Sequence, residues 1–123
     1  MKDVVLKKKE ANKMRKINAV ILCASAMSSS MIVEALRKEA PKRDIDLTVN
    51  CSASLRYRTF DFAGLDLVMI APQVKGQMKE IQKFAAEKGY PDLPFMLIPM
   101  REYGLAKGGA LIDGMLEVLD KAK

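Results

Sequence analysis

Short apolar runs alternate with amphipathic helical patterns along this chain, and the alternation limits the folds that it can form. Apolar runs at 17–22, 45–49, 65–71 and 95–98 have the length and composition of strands. Helical spacing of apolar residues follows the first, third and fourth runs. Strands separated by helices are joined by right-handed crossovers into a parallel sheet with helices on both faces. The sequence therefore predicts a three-layer α/β fold around an open, four-stranded parallel sheet.

Local signals place the ends of the predicted helices. Ser28 to Ser30 are candidate N-caps of the first helix, and Pro41 ends it. The second helix is predicted to run from Val74 until Gly89 stops it. The last helix follows the Gly108-Gly109 pair and reaches the C-terminus.

Composition excludes several classes of protein. The 123 residues fit one domain, and 50% of them are hydrophobic, which is enough for an ordinary soluble core. The chain has no histidine, so it lacks the imidazole that serine triads, Cys–His dyads and most zinc or iron sites require. We expect no metal and no cofactor. Its two cysteines are too few for a disulfide framework and predict a reducing compartment.

The positive charge is concentrated at the start of the chain. Residues 1–16 hold seven Lys or Arg and two acidic residues, and so account for +5 of the net charge of +6. We expect no nucleic-acid binding, because residues 17–123 lack a face of mixed basic and aromatic residues. The sequence predicts a basic extension over 1–16 and one folded domain over 17–123. The extension is interpreted as solvated, or as a weak contact with an anionic membrane surface.

Membrane insertion and export are not predicted either. No apolar run approaches the length of a transmembrane helix, and the lysine-rich start lacks the apolar core of a signal peptide. We therefore expect a cytoplasmic protein.

Cys23 is the strongest candidate for a chemical role. It follows the first apolar run and precedes a loop of small residues and a helix. Open parallel sheets bind ligands at the carboxyl ends of their strands, and amides at a helix N-terminus stabilise an anion. Both effects favour a thiolate, and the same amides can hold the oxygens of a phosphoryl group on the sulfur. The alternative is a buried, inert cysteine at the end of a strand.

Two segments resemble a known family. "ILCASAMSSSMIVEALRKEA" at 21–40 is similar to the active-site loop of enzyme IIB of the bacterial phosphoenolpyruvate-dependent sugar phosphotransferase system, in its lactose, cellobiose and chitobiose branch. "DLVMIAPQVKGQMKEI" at 66–81 resembles the next strand, Pro-Gln turn and helix of that family, and Tyr103-Gly104 falls where the family often has this pair. The resemblance covers roughly residue 16 to the C-terminus. It implies a parallel sheet of order 2-1-3-4, related to the fold of low-molecular-weight phosphatases.

The resemblance also implies a function. In the family, the loop cysteine accepts a phosphoryl group from a histidine of enzyme IIA and passes it to a sugar, such as cellobiose, chitobiose or lactose, held by the membrane permease enzyme IIC. Carried over by position, Cys23 is the nucleophile of a cytoplasmic phosphocarrier that meets the permease transiently. The phosphate-binding loop is then Ala24, Ser25, Ala26, Met27, Ser28, Ser29 and Ser30. Candidate partner contacts are Met27, Gln73, Val74, Met78 and Tyr103.

The chain departs from the family pattern at two positions. Ala26 and Ala71 stand where the family commonly has glycine, before the Met of the loop and before Pro-Gln. If the loop needs a positive φ at residue 26, we expect Ala26 to be strained.

Two other functions fit parts of the sequence. A low-molecular-weight phosphatase needs an arginine six residues after its cysteine, but Ser29 stands there, and Arg37 is two helical turns too far along. A thiol redox module requires Cys23 and Cys51 at the same edge of neighbouring strands, with Cα atoms within about 7 Å. Otherwise Cys51 is a small residue that follows the second strand.

Overall fold

The computed structural model describes residues 15–24 and 30–121, and its centre is a sheet of four parallel strands. The strands are β1 (Arg15–Cys23), β2 (Ile45–Ala53), β3 (Leu67–Ile70) and β4 (Phe95–Leu97). Their order is β2-β1-β3-β4, and every neighbouring pair is parallel. The predicted sheet and its strand order are confirmed.

Four helices cover the sheet: α1 (Ser30–Glu39), α2 (Met78–Glu87), α3 (Met100–Gly104) and α4 (Gly108–Lys121). Helix α1 packs against β2 and α4. The crossover from β1 to β2 runs in the opposite direction from the crossover between β3 and β4. Right-handed crossovers therefore place α1 and α2 on opposite faces. Within residues 15–24 and 30–121, no helix combines the length and the apolarity needed to cross a bilayer.

The two central strands form the middle of the core. All four residues of β3 and the last five of β1 are buried, as expected of strands covered on both faces. The second strand is at the edge of the sheet, and its burial alternates along the chain. The apolar runs of β1 and β3 were therefore read correctly as buried strands.

The edge strand is longer than predicted. It continues past residue 49 to Ala53, because it pairs with β1 residue by residue until Cys23 lies opposite Ala53. The polar residues Asn50 and Ser52 weakened the sequence signal for a strand. At a sheet edge they are tolerated, since one face of the strand lies outside the core.

The second helix starts later than predicted. Residues Pro72–Gln77 form a 3-10 segment, and α2 begins at Met78. Val74 has φ −119° and ψ 25°, which is not helical, so it does not lie on the helix as expected. The predicted stop is confirmed, because α2 ends at Glu87 and Gly89 follows with φ +103°.

The start of β1, the end of α1 and the short helix α3 can also be compared with the sequence. The first strand begins at Arg15, two residues before the predicted start. Helix α1 ends at Glu39, and a 3-10 turn that contains Pro41 follows it. The short helix α3 was not predicted, since five residues are too few to show helical periodicity.

The start of α4 packs directly on α1. A Cβ atom at Gly108 would lie 2.6 Å from the carbonyl oxygen of Ala35 in α1. One turn beyond α1, Arg43 donates hydrogen bonds to Glu39, to the carbonyl of Gly109 and to Asp113. These contacts fix the two helices on the same face of the sheet.

We expect Gly108→Ala to lower the free energy of unfolding by about 1–3 kcal/mol, because the added methyl group must displace the backbone of α1. Gly76→Ala is the control, since a Cβ there meets no atom within 4 Å. Urea denaturation of both variants checks this. Equal stability of the two variants would contradict the close approach of α4 to α1.

Candidate active site

Cys23 is the last residue of the central strand β1. It lies between the carboxyl ends of β2 and β3, since Cys23 pairs with Ala53 and Leu22 pairs with Ile70. Its side chain is buried, and the Sγ donates a hydrogen bond to the carbonyl oxygen of Ser52 at 3.7 Å. The thiol is therefore held toward β2 at the edge where parallel sheets bind ligands.

The predicted phosphate loop is described only at its two ends. Ala24 is an exposed bend directly after β1, and Ser30 is the exposed first residue of α1. The described residues exclude Ser25, Ala26, Met27, Ser28 and Ser29. Strain at Ala26 therefore stays a prediction. First-turn amides of an α-helix point away from its body, so the start of α1 directs donors toward this loop.

Ala71 has an unstrained backbone conformation. Its φ and ψ are −66° and 147°, an extended conformation that alanine adopts without cost. Its amide donates to the carbonyl of Leu22 at 2.9 Å, next to Cys23. The substitution of alanine for glycine therefore leaves this side of the site intact.

Cys51 lies inside β2, so the prediction that it follows the second strand is wrong. It pairs with Ile21, so it shares a sheet face with Cys23 but stands diagonally from it. Diagonal neighbours on a sheet are about 7–8 Å apart, at or beyond the reach of a disulfide. Burial raises the pKa of the Cys51 thiol, and the nearby Cys23 raises it further. The register and the pKa both disfavour a redox pair.

Arg37 is engaged away from the loop. Its Nη2 donates to the carbonyl of Val49 at 3.0 Å and to Oδ1 of Asn50 at 3.5 Å, which ties α1 to β2. This guanidinium therefore does not stand in for the phosphate-binding arginine that a phosphatase needs.

The predicted partner contacts divide into two groups. Gln73 is exposed and Met78 is half-buried, so both reach the surface near the carboxyl edge. Val74 and Tyr103 are only 7% and 9% exposed and belong to the core. The expected direct contact is therefore wrong for these two residues, because little of either side chain remains for a partner. Met27 lies outside the described residues.

Sequence reasoning missed the most exposed apolar residues. Five large apolar side chains are exposed in the described part of the chain, and all five follow or end a strand at the edge that holds Cys23. We call them the apolar rim: Met31, Leu55, Leu97, Met100 and Leu105, between 42% and 79% exposed. Leu55 and Leu105 gave a usable signal, since each is an apolar residue in a connection that should be polar.

Basic side chains accompany the apolar rim. The connections after β2, β3 and β4 (54–59, 71–77 and 98–107) hold five exposed cations and a single carboxylate, Glu102. The cations are Arg56, Arg58, Lys75, Arg101 and Lys107. Arg58 pairs with Glu80 at 3.5 Å. The edge around Cys23 is therefore both apolar and positively charged.

One surface cavity lies far from Cys23. It has a volume of about 360 Å³ at the opposite, amino edge of the sheet, between Arg15, Asp66 and Asp92. A groove of about 310 Å³ lies nearer to the loop and is lined by Ser30, Arg37 and Cys51 among others. We centre the site on Cys23 rather than on the distant cavity, because Cys23 lies at the carboxyl edge, where open parallel sheets bind ligands.

Solved structures with this fold include two IIB proteins. The solution structure of the cellobiose-specific phosphotransferase IIB component from Borrelia burgdorferi has a TM-score of 0.67 and 24% identity, and covers 88% of this chain and 95% of its own. The lactose-specific IIB domain from Streptococcus pneumoniae has a TM-score of 0.67 and 22% identity, and covers 85% of this chain and 98% of its own. A search of curated proteins gives no significant match.

The family comparison covers most of the domain. The model of the lactose/cellobiose-specific IIB subunit of the phosphotransferase system matches residues 18–113, from inside β1 to inside α4. The match contains Cys23 and all four connections at the carboxyl edge. The chain therefore belongs to the lactose/cellobiose-specific IIB family of the sugar phosphotransferase system.

Proposed function

We propose that this chain is a phosphocarrier in which Cys23 accepts a phosphoryl group from a phosphohistidine of enzyme IIA and donates it to a sugar on the membrane permease, enzyme IIC. The observation that carries the proposal is the position of Cys23, at the carboxyl end of the central strand and directly before the loop into α1. Family membership adds a phosphotransferase role in sugar uptake. A disaccharide such as cellobiose, chitobiose or lactose is the proposed cargo.

The first transfer is a displacement at phosphorus. The Cys23 thiolate attacks the phosphohistidine, the S–P bond forms, and the N–P bond breaks with its electron pair returning to the imidazole. In the thiol, Sγ donates to the carbonyl of Ser52. The thiol gives up its proton to solvent before the attack, which breaks this hydrogen bond and frees the sulfur to bind phosphorus. Amides of the loop, Ala24 to Ser30, then bind the phosphoryl oxygens.

The second transfer returns the sulfur to its starting state. A sugar hydroxyl attacks the phosphorus, the O–P bond forms, and the S–P bond breaks to regenerate the thiolate. The hydroxyl proton passes to a base on the permease side. This chain supplies alignment and hydrogen-bond donors, which is most of what phosphoryl transfer requires of a protein.

A carrier must also protect its phosphocysteine from water. Ser29 stands where a phosphatase has its arginine, and Arg37 is bound to β2. Without a guanidinium to stabilise the transition state of hydrolysis, the phosphocysteine survives long enough for a partner to arrive. This arrangement favours transfer over the phosphatase alternative.

The apolar rim and its cations are proposed as the surface on which both partners dock in turn. One cysteine must reach a histidine in one protein and a sugar in another, so both proteins must approach the same edge. Methionine and leucine side chains adapt to more than one partner surface. Gln73 and Met78 lie at this edge and extend the surface. Docking at the permease would bring the protein to the cytoplasmic face of the membrane. The basic residues that precede β1, within 1–14, are proposed to add a weak contact with anionic lipid.

The proposal is tested by label transfer from phosphoenolpyruvate through the general phosphotransfer proteins and a cognate enzyme IIA. We expect Cys23→Ser to abolish labelling, because the hydroxyl is not ionised near neutral pH and cannot replace the thiolate. Cys51→Ser is the matched control and keeps the label, since Cys51 lies inside β2. Label retained by Cys23→Ser, or lost from Cys51→Ser, would refute the assignment of the nucleophile.

A charge within the apolar rim should slow docking. We expect Leu55→Glu to reduce the rate of labelling by enzyme IIA about tenfold or more, because an apolar contact worth over 1 kcal/mol is replaced by a buried carboxylate. Ala86→Glu, which adds the same charge at an exposed position of α2, serves as the control. Labelling reactions quenched at a series of times give the rates of both variants. Equal rates for the two variants would remove Leu55 from the docking surface.

The thiol of Cys51 should ionise at higher pH in the folded chain than in the unfolded chain. Burial is the first cause of its raised pKa and persists in Cys23→Ser, where Cys51 is the single cysteine. Alkylation by iodoacetamide, followed against pH with and without urea, gives both pKa values. The stabilising contribution of this thiol is complete below the unfolded pKa and disappears as the pH rises through the folded pKa. Equal pKa values would contradict the burial of Cys51.

A further inference from the structure

Ser54 is a buried polar side chain that belongs to neither the proposed phosphate loop nor the apolar rim. Its residue is 0% exposed, and its hydroxyl oxygen has no hydrogen-bond partner. It is also the single polar residue within the buried core of residues 15–24 and 30–121. A buried hydroxyl without a partner destabilises a protein, so its presence calls for a state in which the hydroxyl is satisfied.

The position of Ser54 links it to the nucleophile. It is the first residue after β2, directly beyond Ala53, which pairs with Cys23. Neighbouring strands lie about 4.8 Å apart, so the backbone of Ser54 is close to the end of β1. The Sγ of Cys23 leans the same way, since it lies 3.7 Å from the carbonyl oxygen of Ser52, two residues before Ser54.

A second buried atom without a partner lies at the same edge. It is Oε1 of Gln77, in the 3-10 segment that follows β3. In the described residues, these two buried side-chain atoms therefore follow β2 and β3, the two strands that flank β1. Both atoms thus belong to connections that leave the carboxyl edge of the sheet, where Cys23 ends β1. The Ser54 hydroxyl is the one of the two that offers a donor.

We propose that the hydroxyl of Ser54 donates a hydrogen bond to a phosphoryl oxygen of phosphorylated Cys23. This inference rests on the proposed function and adds a donor from outside the loop. The phosphoryl group brings three strong acceptor oxygens next to the end of β2. Hydrogen bonds to charged acceptors are stronger than neutral ones, so the phosphorylated state gains what the resting state lacks. Ser54 forms no covalent bond and accepts no phosphoryl group.

The consequence is a carrier whose resting state is disfavoured relative to its loaded state. A donor that is satisfied only by the phosphoryl group shifts the equilibrium with phosphorylated enzyme IIA toward the phosphocysteine. The same hydrogen bond must be broken when the sugar accepts the group. Ser54 therefore sets how strongly the carrier holds its cargo between the two partners.

The test compares Ser54→Ala with Thr48→Ala, which removes an exposed hydroxyl from β2. We expect Ser54→Ala to melt at or above the temperature of the wild type when unphosphorylated, because a buried hydroxyl without a partner is removed. We expect its phosphoryl-exchange equilibrium with enzyme IIA, measured by 31P NMR, to shift about tenfold away from the phosphocysteine. Ser54→Cys keeps a weaker donor of similar size, so its exchange equilibrium should lie between those of the wild type and Ser54→Ala.

Three results separate the possible failures. A lower melting temperature for unphosphorylated Ser54→Ala would mean that the hydroxyl already has a structural partner, and would overturn the inference. A second result is that the wild type and Ser54→Ala are both phosphorylated on Cys23 and have the same phosphoryl-exchange equilibrium. That result would also overturn the inference about Ser54, while the proposed function stands. A wild type that takes up no phosphoryl group would instead overturn the proposed function.

Discussion

The pairing of β1 with strands on both sides is the interaction on which the site depends. Because β2 and β3 run parallel to β1, their carboxyl ends meet beside Cys23, and the connections that follow them surround the thiol. Burial of β1 and β3 on both faces holds this arrangement, since any shift of register would carry Cys23 away from the edge. The contact between Gly108 and Ala35 then fixes α4 against α1, whose first turn faces the loop.

The candidate site combines a buried thiol with an exposed apolar rim. The Cys23 side chain is covered, whereas Leu55 and Met100 are 79% and 66% exposed at the same edge. Large apolar side chains that are exposed together on one edge are typical of an interaction surface, whereas single exposed ones occur anywhere on a protein. A carrier needs both features, because its thiol must be shielded from water between encounters and its edge must bind two proteins weakly enough to release each. Interfaces of this kind are small and transient.

Much of the fold follows from the sequence, because buried parallel strands and amphipathic helices leave strong periodic patterns. The limits of that reasoning are visible at particular residues. Pairing with β1 extended β2 to Ala53 through polar residues that local propensity disfavours. Val74 fits the apolar spacing of a helix but lies in a 3-10 segment, since apolar spacing does not reveal backbone dihedrals. Cys23 was predicted from its position before a helix and from the resemblance of its loop to a known family. Ser54 and the apolar rim were not, because burial of a hydroxyl and exposure of a leucine are set by tertiary packing.

The most direct measurement is the bond to phosphorus in the loaded protein. The chain would be incubated with phosphoenolpyruvate, the general phosphotransfer proteins and enzyme IIA, separated from them, and measured by intact-protein mass spectrometry and 31P NMR. We expect one phosphoryl group per chain and a single resonance of phosphorus bonded to sulfur. The phosphoryl group should persist after enzyme IIA is removed. No gain in mass, or phosphorus bonded to a serine oxygen, would contradict the assignment of Cys23 as the carrier.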